Sequence, residues 1–302
     1  MASDLLLVGP TLFGSLVAYL CFGAFLVQLA NYALNPLDGN QRPIHALVSA
    51  VAVIEVGGVI IVTEYAWRVL CLATVDKSRL LALSNWSAAA PATYGSLALL
   101  AQCFFAWQIR TLAKGLARLV IPIIIAAISL AQFSAALAIC VQFSQVGKNI
   151  SLIRQLRPTV ITQRASALAA DVLVTTALTY LLWKHKSATP LSATRKLLNG
   201  LIINALENAA LTTFFVALSL ATYVAFPTNN LHQAFQQSIG GLYANVLMAS
   251  LNGRIRRRQA QAREQGINVS FGAVPPSNGE KSPEPTPPRR PSDPDPQPAA
   301  DV

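Results

Sequence analysis

Long apolar runs alternate with short polar segments along most of this chain. Most of the runs have about twenty residues or more, the length at which an α-helix crosses a bilayer core about 30 Å thick. Six runs are strongly apolar, and the last one is the least apolar. The runs cover residues 11–33, 45–67, 89–108, 119–141, 165–183, 197–226 and 231–251. This pattern predicts an all-α fold, a polytopic membrane bundle of seven transmembrane helices.

Two other segments break the pattern. Residues 142–164 are too polar to cross a membrane and predict a surface loop with a partly helical stretch. After residue 258 apolar periodicity is lost, and ten of the eighteen prolines follow. Such a segment cannot offset its ordering entropy, which predicts a disordered cytoplasmic tail. The predicted divisions are 1–168 for spans one to four, 169–258 for a carboxyl-terminal membrane module and 259–302 for the tail.

Composition narrows the class of protein. The 302 residues are 53% hydrophobic and only 12% charged, whereas charged residues approach a quarter of an ordinary soluble domain. The net charge of +10 comes from Lys and Arg between the apolar runs and in the tail. That placement is typical of topology signals and lipid-facing loops, so we expect a lipid bilayer as partner and no nucleic acid.

The basic residues also predict the orientation of the chain. If the amino terminus is outside, thirteen Lys and Arg residues fall in inner segments and seven in outer ones. The thirteen are Arg42, Arg110, Lys114, Arg118, Lys184, Lys186, Arg195, Lys196, Arg254, Arg256, Arg257, Arg258 and Arg263. Two glycosylation sequons, at Asn85 and Asn149, then lie outside. We therefore expect a multi-pass protein of the plasma membrane or an endomembrane, amino terminus outside and carboxyl terminus cytoplasmic.

Acidic residues inside the apolar runs are the first candidates for a functional site. Glu55, Asp171 and Glu207 lie within runs, where an ionised carboxylate costs at least about 2.5 kcal/mol. Glu64 lies near the end of its run, where protonation, hydrogen bonding across helices or interfacial exposure is expected. The alternative for the others is hydrogen bonding across helices, with a purely structural role.

Two of these acids belong to polar faces. Asp171 precedes Thr175 and Thr179 at helical spacing, and Glu207 lies between Asn204 and Asn208. The two faces predict that spans five and six face each other or line an inward cavity, and the spacing leaves packing and cavity lining open. No Lys or Arg is expected within a span to pair with the acids. The ligand or cavity candidates are Glu55, Asp171, Asn204, Glu207 and Asn208.

The remaining motifs carry little chemistry. No HExxH, CxxC or paired-histidine spacing is present, so we expect no catalytic residues, no metal, no cofactor and no enzyme activity. The four cysteines are interpreted as buried hydrophobes. Glycine pairs at 57–58 and 240–241 predict close helix approach. The cluster Arg254, Arg256, Arg257 and Arg258 is expected to bind anionic lipid, at about 1 kcal/mol per residue.

Several stretches in order resemble a large group of fungal seven-span membrane proteins. AQCFFAWQIRTLA at residues 101–113 resembles their third span. Residues 169–254, with AADVLVTTALTYLL and LYANVLMASLNGR, resemble their carboxyl-terminal module, the domain of unknown function numbered 6534. Gln108 stands where members usually have a basic residue, and Asn208 and the two alanines after it replace a usual glycine. The resemblance implies seven helices and membrane residence, and it implies no substrate.

Three functions are compatible with these patterns. A receptor-like or signalling-associated protein would use the inner loops and the tail, where residues 285–290 match a PxxP ligand for cytoplasmic proteins. A small-solute transporter or channel would use the intramembrane acids. A membrane scaffold would bind no ligand. In all three, the least apolar run is expected to turn Tyr243, Asn245, Ser250 and Asn252 inward.

Overall fold

The computed structural model describes residues 2–35, 42–72, 85–146, 153–188, 192–227 and 229–264. These residues form seven long helices and, within the described ranges, no strand. The helices are α1 Ala2–Leu34, α2 Arg42–Trp67, α3 Asn85–Leu112, α4 Ala117–Val146, α5 Ile153–Ala188, α6 Ser192–Ala225 and α7 Gln233–Glu264. A π-helical turn, Arg68–Leu72, extends α2. The all-α fold class is confirmed.

Five of these helices are long and apolar enough to cross a membrane. The qualifying segments are Val8–Leu34, Arg42–Leu72, Ala88–Leu112, Ala117–Gln145 and Gln155–Lys184. In α6 the described residues add a shorter apolar stretch, Ala209–Ala225. Because several such helices belong to one bundle, the chain is a multi-pass integral membrane protein.

The α3–α4 connection shows why neighbouring helices in the chain are neighbours in space. It is a tight turn in which Gly115 adopts a φ of 63°, a left-handed conformation that favours glycine. The backbone N–H of Arg118 donates to the Gly115 carbonyl at 3.2 Å and starts the next helix. A turn this short forces α3 and α4 to pack antiparallel.

The relative directions of the other helices follow from their contacts. Three hydrogen-bonded pairs between α1 and α7 share a sequence separation of 224, so these two helices run parallel and in register. Between α5 and α6, Arg157 bonds Val224 and Arg164 bonds Ser219. As the residue number rises along α5, that of its partner in α6 falls. These two helices are therefore antiparallel, and α6 and α7 are antiparallel for the same reason.

The least apolar helix, α7, is enclosed by the others. Leu247, Met248 and Leu251 are fully buried. Among the described residues, the exposed large apolar side chains lie on α1 to α6 or in the turns between them, and α7 has none. A helix that does not touch lipid needs no lipid-compatible surface, which explains its weak apolarity.

Two predicted boundaries differ from the structure. Residues 153–164 are the first turns of α5, where the prediction was a surface loop with only a partly helical stretch. At the other end, α7 continues past residue 251 to Glu264, inside the predicted tail. Residues 265–302, the rest of that tail, lie outside the described residues. In both cases charged side chains at a helix end were mistaken for the end of the helix itself.

Glycine allows close helix approach at four described positions, Gly14, Gly95, Gly240 and Gly241. A Cβ added at Gly14 would lie 2.6 Å from the Gln233 carbonyl oxygen, and one at Gly240 would lie 2.9 Å from the Tyr94 ring. Gly241 is equally tight, which confirms the prediction for residues 240–241. The same prediction for residues 57–58 was wrong, because a Cβ at either position meets nothing within 4 Å.

The four cysteines are not the buried hydrophobes that the sequence predicted. None of them forms a disulfide, Cys71 and Cys103 are exposed, and Cys21 and Cys140 are half-buried. An apolar run gives every face of a helix the same character, so it cannot distinguish the lipid-facing side from the core.

Candidate functional site

Asp171 is at the centre of a buried polar layer that joins three helices. Its Oδ1 accepts a hydrogen bond from Gln102 Nε2 of α3 at 3.1 Å. Its Oδ2 accepts one from the Tyr243 hydroxyl of α7 at 2.6 Å. The three side chains are 6%, 1% and 4% exposed. Both carboxylate oxygens of Asp171 thus accept hydrogen bonds from neighbouring helices.

This geometry favours packing over cavity lining for Asp171. The carboxylate contacts α3 and α7, while α5 packs against α6, as predicted, through Arg157 and Arg164. Thr175 donates to the Asp171 carbonyl oxygen within α5, and with Thr179 it lines a shallow depression beside Trp183 on the bundle surface. A helical spacing of three or four residues does not fix which neighbour a face meets.

The other candidates on span six have no described side chains. Asn204, Glu207 and Asn208 lie within α6, and their side chains lie outside the described residues. The next polar residue on that helix, Thr212, is buried and donates to the carbonyl oxygen of Ala209 at 2.9 Å. It contributes no hydrogen bond between helices.

Glu55 of α2 is buried at a crossing of three helices. It is 4% exposed, and a Cβ built at Gly241 of α7 would lie 3.0 Å from its Oε1 and 2.9 Å from the Cβ of Cys21 in α1. The missing side chain of Gly241 provides the space for the carboxylate. The structure therefore separates the two buried acids, Glu55 near α1 and Asp171 near α3.

Polar contacts also connect α1 and α7 along their length. Asn245 donates from Nδ2 to the Cys21 carbonyl at 2.8 Å and accepts from Gln28 at 2.7 Å. One heptad further, Asn252 donates to the Gln28 carbonyl at 2.9 Å. With Ser250 bonded to Gln108 and Tyr243 to Asp171, the inward orientation predicted for this run is confirmed. These hydrogen bonds fix the register of the central helix.

Sequence reasoning missed Arg164, a buried cation in α5. It is 6% exposed, and its Nη1 donates to the Ser219 carbonyl of α6 at 3.0 Å. Its guanidinium lies 4.5 Å from the centroid of the Tyr223 ring, and that ring packs edge-on against His232. Sequence analysis placed this residue in a surface loop, whereas it lies within the apolar segment Gln155–Lys184. The sequence signal that could have identified Arg164 was its spacing. It lies seven residues before Asp171 and therefore on the same helix face.

The remaining candidates are at the ends of helices. Glu64 forms an ion pair with Arg68 one turn later in the same helix, instead of the predicted hydrogen bond across helices. Asn85 is the first residue of α3, its side chain lies outside the described residues, and Asn149 lies outside them altogether. These positions leave the glycosylation prediction standing as a prediction.

The basic cluster is partly described. Arg254 lies over two rings of α3, 5.0 Å from the centroid of Phe104 and 4.8 Å from that of Trp107. Arg256 is exposed. Arg257 and Arg258 continue α7, and their side chains lie outside the described residues. Through Arg254, the basic cluster therefore packs against α3 near its carboxyl end, close to the turn that leads into α4.

These observations define a helical, multi-pass integral membrane protein with a buried polar core. Residues 167–256 match the model of a family described as "Family of unknown function (DUF6534)". The match includes α5 from Ala167, α6 and α7 as far as Arg256, and it agrees closely with the module that the sequence resemblance placed at residues 169–254. No curated protein and no solved structure matches the chain.

Proposed function

We propose that this protein is a receptor-like or signalling-associated seven-span membrane protein, with its amino terminus outside and its carboxyl terminus in the cytoplasm. The observation that carries the proposal is the parallel register of α1 and α7. Helices that alternate in direction and begin and end parallel make an odd number of crossings. The carboxyl end of α7 then lies on the opposite side from the amino terminus.

Five helices are long and apolar enough to count as membrane spans by themselves. Seven crossings are compatible with that number. The apolar stretch Ala209–Ala225 gives α6 most of a span. Because α7 is enclosed, its polar side chains meet protein instead of lipid, and hydropathy underestimates it. The sixth and seventh crossings therefore rest on packing.

The distribution of charge supports the orientation. Arg254 contacts α3 near its carboxyl end, so the basic cluster and the α3–α4 turn with Lys114 lie at one end of the bundle. The basic residues of segment 142–164 opposed this orientation. Two of them, Arg157 and Arg164, bond carbonyl oxygens of α6, and Arg164 is buried within the bundle. The positive end is then the cytoplasmic one.

Epitope tags on the two termini test the orientation. We expect an amino-terminal tag to be labelled by antibody on intact cells and a carboxyl-terminal tag only after permeabilisation. The control is a chain ending at residue 264 with the same tag, which removes the proline-rich tail and keeps α7. Labelling of the carboxyl-terminal tag on intact cells would reject the orientation.

The polar layer supports a receptor-like role over a transporter. Asp171 connects α5 to α3 and α7. The basic cluster lies on α7, and its Arg254 contacts α3. A shift of α5 near this layer would therefore move the helix ends that face the cytoplasm. We infer that the partners are anionic lipid at Arg254 and Arg256 and cytoplasmic proteins at the PxxP match of residues 285–290.

A paired measurement separates signalling from transport. The double variant Asp171→Asn with Glu207→Gln removes both charges at nearly constant shape. We expect reduced association with cytoplasmic signalling proteins, measured with a biotin ligase fused to the carboxyl terminus, and unchanged proton-coupled solute uptake. The control is Thr176→Val, on the exposed face of α5. Lost uptake with intact association would reject the receptor-like proposal in favour of the transporter.

A further inference from the structure

A small cavity lies between α3, α4, α5, α6 and α7, beside the buried guanidinium. It is lined by Tyr94, Gln132, Gln163, Arg164, Ala167, Val216, Gln236, Ile239 and Tyr243. About 10 Å³ is open to the centre of a water-sized sphere, roughly the space that one water molecule needs. Six of its nine lining residues are polar.

The cation beside this cavity is incompletely paired. Arg164 Nη1 is bonded to a carbonyl oxygen, and Arg164 Nε has no hydrogen-bond partner among the described residues. No carboxylate of a described residue lies within 4.0 Å of this guanidinium. Asp171 is two turns further along α5, about 10 Å away along the axis, and both of its oxygens are occupied. A buried charge without a counter-charge is strongly destabilising, and the Tyr223 ring compensates this one only in part.

A second side chain is unpaired at the same place. Gln132 of α4 is 2% exposed, and its Oε1 has no partner in the described structure. An amide presents an acceptor and two donors, and a half-turn exchanges them. Gln132 is thus able to turn its NH₂ toward the cavity, where it would donate to the same occupant as Arg164.

We propose that this cavity is a binding site for a small monovalent anion of about the size of chloride. Arg164 supplies the positive charge and its free Nε donor, and the amide of Gln132 supplies a second donor. Water alone would bond to Nε but leave the charge without a counter-ion. The site stands on these contacts, and only its assignment to the outer half of the membrane rests on the proposed orientation.

The test uses the full chain in nanodiscs of neutral phosphatidylcholine, with chloride as the probe. We expect the ³⁵Cl NMR line to broaden in proportion to protein and to narrow when bromide competes. Thermal unfolding should occur at higher temperature in chloride than in gluconate of equal ionic strength. Arg164→Gln should remove both effects, and Arg164→Lys should retain part of the broadening.

The matched control is Arg157→Gln, which removes the same charge two turns earlier on α5, where the side chain is exposed. It should broaden the line as much as the wild type does. Equal loss in both variants would mean diffuse attraction to surface charge and would reject the site. If Arg164→Gln does not fold, the wild-type protein still tests the proposal. A ³⁵Cl line no broader than that measured with empty nanodiscs would overturn it. Neither result depends on topology or signalling.

Discussion

Replacing Asp171 by leucine should lower the free energy of unfolding by about 2–4 kcal/mol. The substitution leaves the Tyr243 hydroxyl and the Gln102 amide buried without their acceptor, and each orphaned group costs about 1–3 kcal/mol. Reversible unfolding in mixed detergent and SDS micelles measures the change. Asp171→Asn should cost less, because an amide still offers one acceptor oxygen.

Two controls make this prediction specific. Thr176→Val, on the exposed face of the same helix, should change stability by less than about 0.5 kcal/mol. Adding Tyr243→Phe to Asp171→Leu should restore part of the loss, because no hydroxyl is then orphaned. If Asp171→Leu is as stable as the wild type, the layer does not hold the helices together.

Replacing Gly14 by alanine should destabilise the protein by about 2–3 kcal/mol, although alanine is the better helix former. The new methyl group would lie 2.6 Å from the Gln233 carbonyl oxygen and 3.2 Å from the Ala234 Cα. Both are backbone atoms, which cannot rotate away, so α1 must move off α7. The adjacent hydrogen bond from Ser15 to Gln237, at 3.0 Å, should weaken with it.

The same chemical change on the same helix provides the control. Gly23 also lies within α1, and a Cβ there meets nothing within 4 Å. Gly23→Ala should therefore stabilise the protein by up to about 1 kcal/mol through helix propensity alone. Equal effects at Gly14 and Gly23 in the unfolding assay would show that α1 and α7 are not in close contact.

The sequence predicted much of the fold because a bilayer imposes a simple rule. Apolar runs of sufficient length must be helices, since lipid offers no partner for backbone groups. The runs therefore located all seven helices. The rule is weaker at helix ends, where Arg157 and Arg164 made α5 resemble a loop until their contacts with α6 were known. It also underestimated α7, which faces protein.

The site was less predictable than the fold. The sequence identified Asp171 as a buried acid, but its partners Gln102 and Tyr243 lie 69 and 72 residues away along the chain. Arg164 escaped notice because polarity around it suggested solvent. Helical spacing shows which residues share a face. It does not show which of six neighbouring helices that face meets.

By itself, the sequence determined that this protein is an all-helical membrane protein and where its helices lie, because length and apolarity decide whether a helix is compatible with lipid. Only the tertiary structure decided that α7 is the enclosed helix, parallel to α1, and that Asp171 and Arg164 are buried with different partners. Those features depend on contacts between residues far apart in the chain. Their specificity comes from hydrogen bonds and close backbone approach, which hydropathy does not record.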